Sequence, residues 1–216
     1  MTFNINQQVF DRYGMLHERR ADRYRNQLME LFAQSPEVQE LREKISGPYW
    51  SGVMLDYGMS YLGLTPPRMS SNDLLEILLD LFPRKVSAEA DEAPAIISEL
   101  QAFWHFLQRE FHLENAAACL SVLNEKTARK LKREMSDPAN FGIAKSFVMM
   151  GMERGFDMSS QEGVDEWMAT YNAELAAGRG TPVPLPGERS MHARSYMNSL
   201  HLKAPSGKRR KSHKRK

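Results

Sequence analysis

Between residues 96 and 111 the apolar side chains Ile96, Ile97, Leu100, Phe103, Trp104, Leu107 and Phe111 recur at intervals of one, three and four residues. That spacing places them on one face of an α-helix. A face this wide and this aromatic has to be covered by other elements and reads as core. The expected fold is all-α, an irregular multi-helix domain followed by a disordered basic tail.

The flanking sequence supplies further helices with recognisable starts and stops. Val9, Phe10, Tyr13, Leu16, Tyr24, Leu28, Leu31 and Phe32 return at near-helical spacing and predict one long helix from Gln7 to Gln34. Its arginines, Arg19, Arg20, Arg23 and Arg25, are interleaved with acids and read as a solvated face. Ser35-Pro36-Glu37 offers a cap, a first-turn proline and a first-turn acid, and that helix is expected to stop near Gly47-Pro48. Tyr49 to Leu62 is read as helix despite its glycines, and Thr65-Pro66-Pro67 forces an extended break. The next helix is capped by Ser70, Ser71 or Asn72, is apolar nearly all round, and is expected to end at Pro83.

After the acidic connector Ser87 to Glu92 and the 96–111 helix, one helix is expected from Glu114 to Met135. It puts Leu120, Leu123, Thr127 and Leu131 on one side and Lys126, Arg129, Lys130 and Arg133 on another. Asp137-Pro138 reads as a cap followed by a helix start, and Gly142 permits a close helix contact. Gly151 interrupts a methionine-rich helix, Gly155 suits a left-handed cap, and Ser159 with Glu162 is spaced as a capping box for the last helix. Gly178 to Gly187 reads as a Pro/Gly linker, and Met191 to Leu202 as a weak amphipathic segment. The expected organisation is an N-terminal helical segment over 1–47, a central domain over 48–176, linker and weak helix over 177–202, and the tail over 203–216.

Charge is divided unevenly. The formal net charge is +2, yet eight basic residues and no acid lie from Lys203 onward, leaving 21 basic against 27 acidic residues before them, a charge of −6. The block Lys208, Arg209, Arg210, Lys211, Lys214, Arg215 and Lys216 attracts polyanions by displacing their counterions, which gives affinity without base specificity. RNA, DNA, an acidic protein face and an anionic membrane all fit that description. The plainer alternative is a solubilising tail that folds back on the acidic body.

Motifs with a unique chemical meaning are missing. There is no phosphate-cradling glycine loop, dinucleotide fingerprint or nucleophile elbow. His105 and His112 stand seven residues apart, too far along a helix axis to share a metal, and His17-Glu18 lacks a second histidine. No catalytic residue, cofactor or metal is assigned. Cys119, alone among alanines, reads as a small buried hydrophobe of a reducing compartment. The absence of a secretory signal and of any apolar run near the ~20 residues of a membrane span points to a cytoplasmic protein. Met149, Met150 and Met152 read as adaptable core filler, or, for Met149 and Met152, as part of a partner-binding groove.

Pro83-Arg84-Lys85-Val86, Phe103-Trp104, the block Met135 to Lys145 with its Asp137-Pro138-Ala139-Asn140-Phe141-Gly142-Ile143-Ala144-Lys145 run, Gly155-Phe156-Asp157 and Tyr171-Asn172 together resemble an uncharacterised helical region of bacterial hypothetical proteins. The resemblance covers roughly residues 72 to 172. It implies a bacterial all-helical module without an established activity, so no functional residue is carried over. Some such proteins also bear a cysteine-rich SEC-C-type metal motif. Ser206-Gly207-Lys208 resembles part of it but lacks the cysteines. Lys145 is read as an ordinary surface lysine, with reach to a ligand as the alternative. The sequence therefore reads as a non-enzymatic accessory protein that binds nucleic acid through its tail, aided by Lys126, Arg129, Lys130 and Arg133. A protein-interaction adaptor is the alternative, with an unrecognised enzyme third.

Overall fold

In the computed structural model, which describes residues 3–41 and 47–180, all regular elements among the described residues are helical apart from one isolated bridge between Phe10 and Leu16. The first helices are α1 (Glu18–Ala33), α2 (Pro36–Leu41) and α3 (Trp50–Tyr57), the last continuing through a π-helical turn, Gly58–Leu62. Next come α4 (Ser71–Glu76), a second π-helical turn, Ile77–Leu81, and α5 (Phe82–Lys85). Then follow α6 (Ala93–Phe111), α7 (Ala116–Val122), α8 (Glu125–Ser136), α9 (Ile143–Glu153) and α10 (Gln161–Ala176).

The apolar stripe of the sequence is the middle of the molecule. Ile96, Ile97, Leu100, Phe103, Trp104 and Leu107 of α6 are all buried, and α2, α3, α7 and α8 pack around them. One continuous core runs from Ile5 to Met135, so the N-terminal residues and the body share it. Phe32 of α1 meets Phe103 at 5.0 Å and Phe106 at 5.5 Å between ring centres. Helices α9 and α10 stand beside this core with an aromatic cluster of their own, in which Trp167 touches Phe147, Phe156 and Tyr171.

Several boundaries differ from the sequence expectation. The first helix begins only at Glu18, because Gly14 takes a left-handed φ of 79° and the Asp11 carboxylate accepts the N–H groups of Tyr13 and Met15. A tight turn therefore replaces the helix start, while Ile5 and Val9 still reach the core. Pro83 does not end its helix. In an α-helix its ring would collide with the carbonyl four residues back. Here the π-helical turn just before it widens the backbone, with Phe82 N–H reaching Ile77 O, and the helix runs on to Lys85.

The helix expected over 114–135 is two, broken where Asn124 turns extended and its side chain caps α8 through Thr127 N–H at 3.1 Å. Asp137 caps only a short 3-10 turn, Pro138–Asn140, and α9 starts later, after Gly142. Gly151 lies inside α9 without interrupting it. A Cβ there would stand 2.8 Å from the Trp167 ring, so the bare backbone is what lets α10 pack so closely. The cap of α10 is Ser160 rather than Ser159, whose hydroxyl bonds Asp157 instead. The Ser35, Thr65, Ser70 and Gly155 expectations match the structure, Ser70 forming a full capping box with Asp73. The predicted stop near Gly47-Pro48, the linker beyond Gly180, the segment 191–202 and the tail fall wholly or partly outside the described residues.

Candidate functional site

Helix α8 is cut to be amphipathic. Thr127, Ala128, Leu131 and Met135 are buried against α6 and its neighbours, which turns Lys126, Arg129, Lys130 and Arg133 outward, all exposed. Five cations and two acids occupy the helix. Arg129 pairs with Glu125 at 3.4 Å, Arg133 with Glu134 at 2.9 Å, and Lys132 with Asp91 of the acidic connector. Lys126 and Lys130 form no ion pair among the described residues. Exposed pairs of this kind are screened and worth at most ~1 kcal/mol, so they leave the arginines available to an outside anion. The seven tail residues assigned to the same role, Lys208 to Lys216, lie outside the described residues.

Two stretches far apart in sequence meet at the end of α5. The last carbonyls of a helix lack partners within it. Here Gly142 N–H donates to Arg84 O at 2.9 Å, and Lys145 Nζ donates to Pro83 O at 2.9 Å while standing 4.0 Å from the centre of the Phe141 ring. A Cβ on Gly142 would come within 2.8 Å of Arg84 O, so only glycine allows this approach. Lys145 is thus buried, 2% exposed, and not the surface lysine expected from sequence. Burial disfavours its charge and lowers its pKa to about 8. The arrangement is a clasp that attaches α9 to the body, and it leaves Lys145 no opening to a ligand.

A cleft of about 770 Å³ lies between the start of α3, the segment after α5 and the start of α6. Tyr49, Trp50 and Tyr57 form its aromatic side, and Asp56, Glu92, Glu99 and Lys85 its charged groups. Glu99, 1% exposed, sits within the apolar stripe of α6 and accepts Ser51 N–H at 2.7 Å and Tyr49 N–H at 3.1 Å. A carboxylate from one helix thereby caps the positive end of another. Sequence reasoning passed over it, although an acid three residues after Ile96 and four before Phe103 was a visible signal. Asp56 is held by Arg25 Nη1 at 2.7 and 2.9 Å.

Met149 is half-buried and Met152 is 48% exposed, so the structure brings no closed methionine groove together. Ile143, Met152, Met168 and Leu175 are the large apolar side chains that α9 and α10 leave exposed. Cys119 is fully buried, with its thiol pushed up to about 12 by desolvation, which suits packing and not nucleophilic chemistry. His105 is exposed, and His112 closes α6 in a left-handed conformation at φ 53°. Among the described residues no group of His, Cys, Asp and Glu could hold a metal ion, and no helix is long and apolar enough to cross a membrane.

The fold and site define an all-α protein with one strongly cationic outer helix face and one mixed aromatic-acidic cleft. Comparison of the chain with protein-family models, curated proteins and solved structures gives no match.

Proposed function

We propose that the protein is a non-enzymatic accessory factor that binds nucleic acid, RNA foremost, through charge and without base specificity. The observation that carries this reading is the outward face of α8, where Lys126, Arg129, Lys130 and Arg133 lie within two helical turns. The basic C-terminal block adds a second, larger cationic element on the same chain. Each neutralised phosphate of single-stranded RNA steepens the log–log dependence of affinity on salt by ~0.7. Lys126→Gln with Lys130→Gln should therefore flatten that slope by ~1.4. Replacing Lys208, Arg209, Arg210 and Lys211 by Gln should flatten it further. The measurement is binding of a labelled RNA to the whole chain and both variants across a salt series. Affinity that is the same in all three, or that does not fall with salt, would refute the reading.

A second reading, a protein-interaction adaptor, draws on the exposed Ile143, Met152, Met168 and Leu175 of α9 and α10. In that case Met152→Glu would abolish capture of a defined protein partner while leaving RNA affinity unchanged.

A further inference from the structure

We propose that the cleft between α3, the segment after α5 and α6 receives the chain's own basic block, Lys208 to Lys216, and so holds it back from nucleic acid. The inference rests on the nucleic-acid reading in that the withheld block is the arm assigned to RNA.

Three observations carry it. The first is chemical: the cleft pairs aromatic rings with carboxylates, a combination that favours organic cations. Tyr49 stands at the rim, 62% exposed, with Trp50 and Tyr57 behind it. At the edge of this wall one cation already rests on a ring, Lys85 Nζ at 4.4 Å from the centre of Tyr61. Of the carboxylates, Asp56 is taken by Arg25, and buried Glu99 is engaged by the Tyr49 and Ser51 N–H groups. Glu92, exposed and lining the cleft, is the one that can touch an incoming lysine or arginine.

The second observation is charge complementarity. Positions 1 to 180 hold 26 acidic and 19 basic residues, whereas the block from Lys208 to Lys216 holds seven basic residues and no acid. The third is tether length. Lys208 follows Gly180 by 28 residues, which extended span ~90 Å. A domain of this size has a radius of gyration of only ~16 Å. The block therefore reaches every face of its own body, at an effective concentration on the order of millimolar.

The test uses the whole chain at low salt. A water-soluble carbodiimide joins lysine amines to carboxylates in contact, and mass spectrometry of the monomer band locates the links. Links from Lys208, Lys211, Lys214 or Lys216 to Glu92 are expected to dominate, and to disappear at high salt. Glu92→Gln and Tyr49→Ala, both at exposed positions, should each tighten binding of a labelled single-stranded RNA about threefold by releasing the block. Tail links spread evenly over surface carboxylates would overturn the proposal. So would links found only in a dimer band, which would place the block on a second copy, or RNA affinity indifferent to both substitutions in a chain that binds RNA. If no form binds RNA, the nucleic-acid reading falls while the linking pattern still decides the docking.

Discussion

Raising the pH from 7 to 9 should stabilise this protein, and Lys145 is the reason. In the unfolded chain its amine holds a proton up to its ordinary pKa of 10.5, whereas burial in the clasp lowers the folded value to about 8. The Pro83 carbonyl at 2.9 Å and the Phe141 ring at 4.0 Å favour the charged form, but loss of water outweighs them. Between the two values the unfolded state binds more protons, so stability climbs with pH by at most ~1.4 kcal/mol per unit. Below about pH 7 both states are protonated and the contribution is flat. Integrated over the titration, the gain from pH 7 to 9 is ~1.3 kcal/mol. Cys119 acts in the opposite sense, because burial moves its thiol from 9.0 to about 12 and the unfolded state alone ionises as the pH rises through 9, which removes ~0.4 kcal/mol of that gain by pH 9. Tyr57, raised to about 12, and Tyr24, raised further by burial, add to that loss above pH 10. The stability maximum should thus lie near pH 9. Urea midpoints at pH 7, 8, 9 and 10 measure it, with Lys145→Met as the control that lacks the rise. Parallel profiles for the two proteins between pH 7 and 9 would show that Lys145 keeps its proton in the fold and refute the reasoning.

Other substitutions test the same architecture. Gly142→Ala forces a Cβ to within 2.8 Å of Arg84 O and strains a cap bond, so it should cost ~2–4 kcal/mol, read as faster amide exchange in α9 and α10 than in α6. Glu99→Ala strips two N–H groups of the α3 start of their acceptor and should cost ~2–4 kcal/mol by urea unfolding, with Glu99→Gln in between. Ser51→Ala should have the reverse sign. The Ser51 hydroxyl is buried without a partner among the described residues, and removing it should raise stability by ~1 kcal/mol; a loss of stability would mean that the hydroxyl is paired.

The parts of the fold that were readable in the sequence are those set by local spacing. The α6 stripe, the Ser70 cap and the left-handed Gly155 each follow from residues within a few positions of one another. What was not readable depended on partners distant in the chain. Pro83 stays helical because the turn before it widens, and packing of Ile77, Leu78 and Leu81 in the core accompanies that widening. Nothing near Lys145 distinguishes it from a surface lysine, since the carbonyl it serves lies 62 residues away. Of the candidate site, the outward set of α8 was legible from helical spacing alone. The cleft was not, because it joins α3, α5 and α6.

The clasp also changes what the Asp137 to Lys145 run can be asked to explain. A block that strings together turn residues, a glycine and a lysine invites a catalytic or binding role. Here each member acts mechanically. Asp137 holds a 3-10 turn through Ala139 N–H, Gly142 admits the Arg84 carbonyl, and Lys145 completes the cap on Pro83. The Pro83 to Lys85 stretch supplies the carbonyls that these donors need, so two separate landmarks of the sequence are the two halves of one joint. A lysine bonded inward and 2% exposed is not accessible to a polyanion. Recognition is therefore left to groups that the fold turns outward, and among these the cations of α8 and the acids and rings of the cleft are opposite in character. Under the proposed reading, the chain's own cationic block engages the cleft at the expense of an outside polyanion, so that the RNA affinity of the intact protein would be a balance between the two.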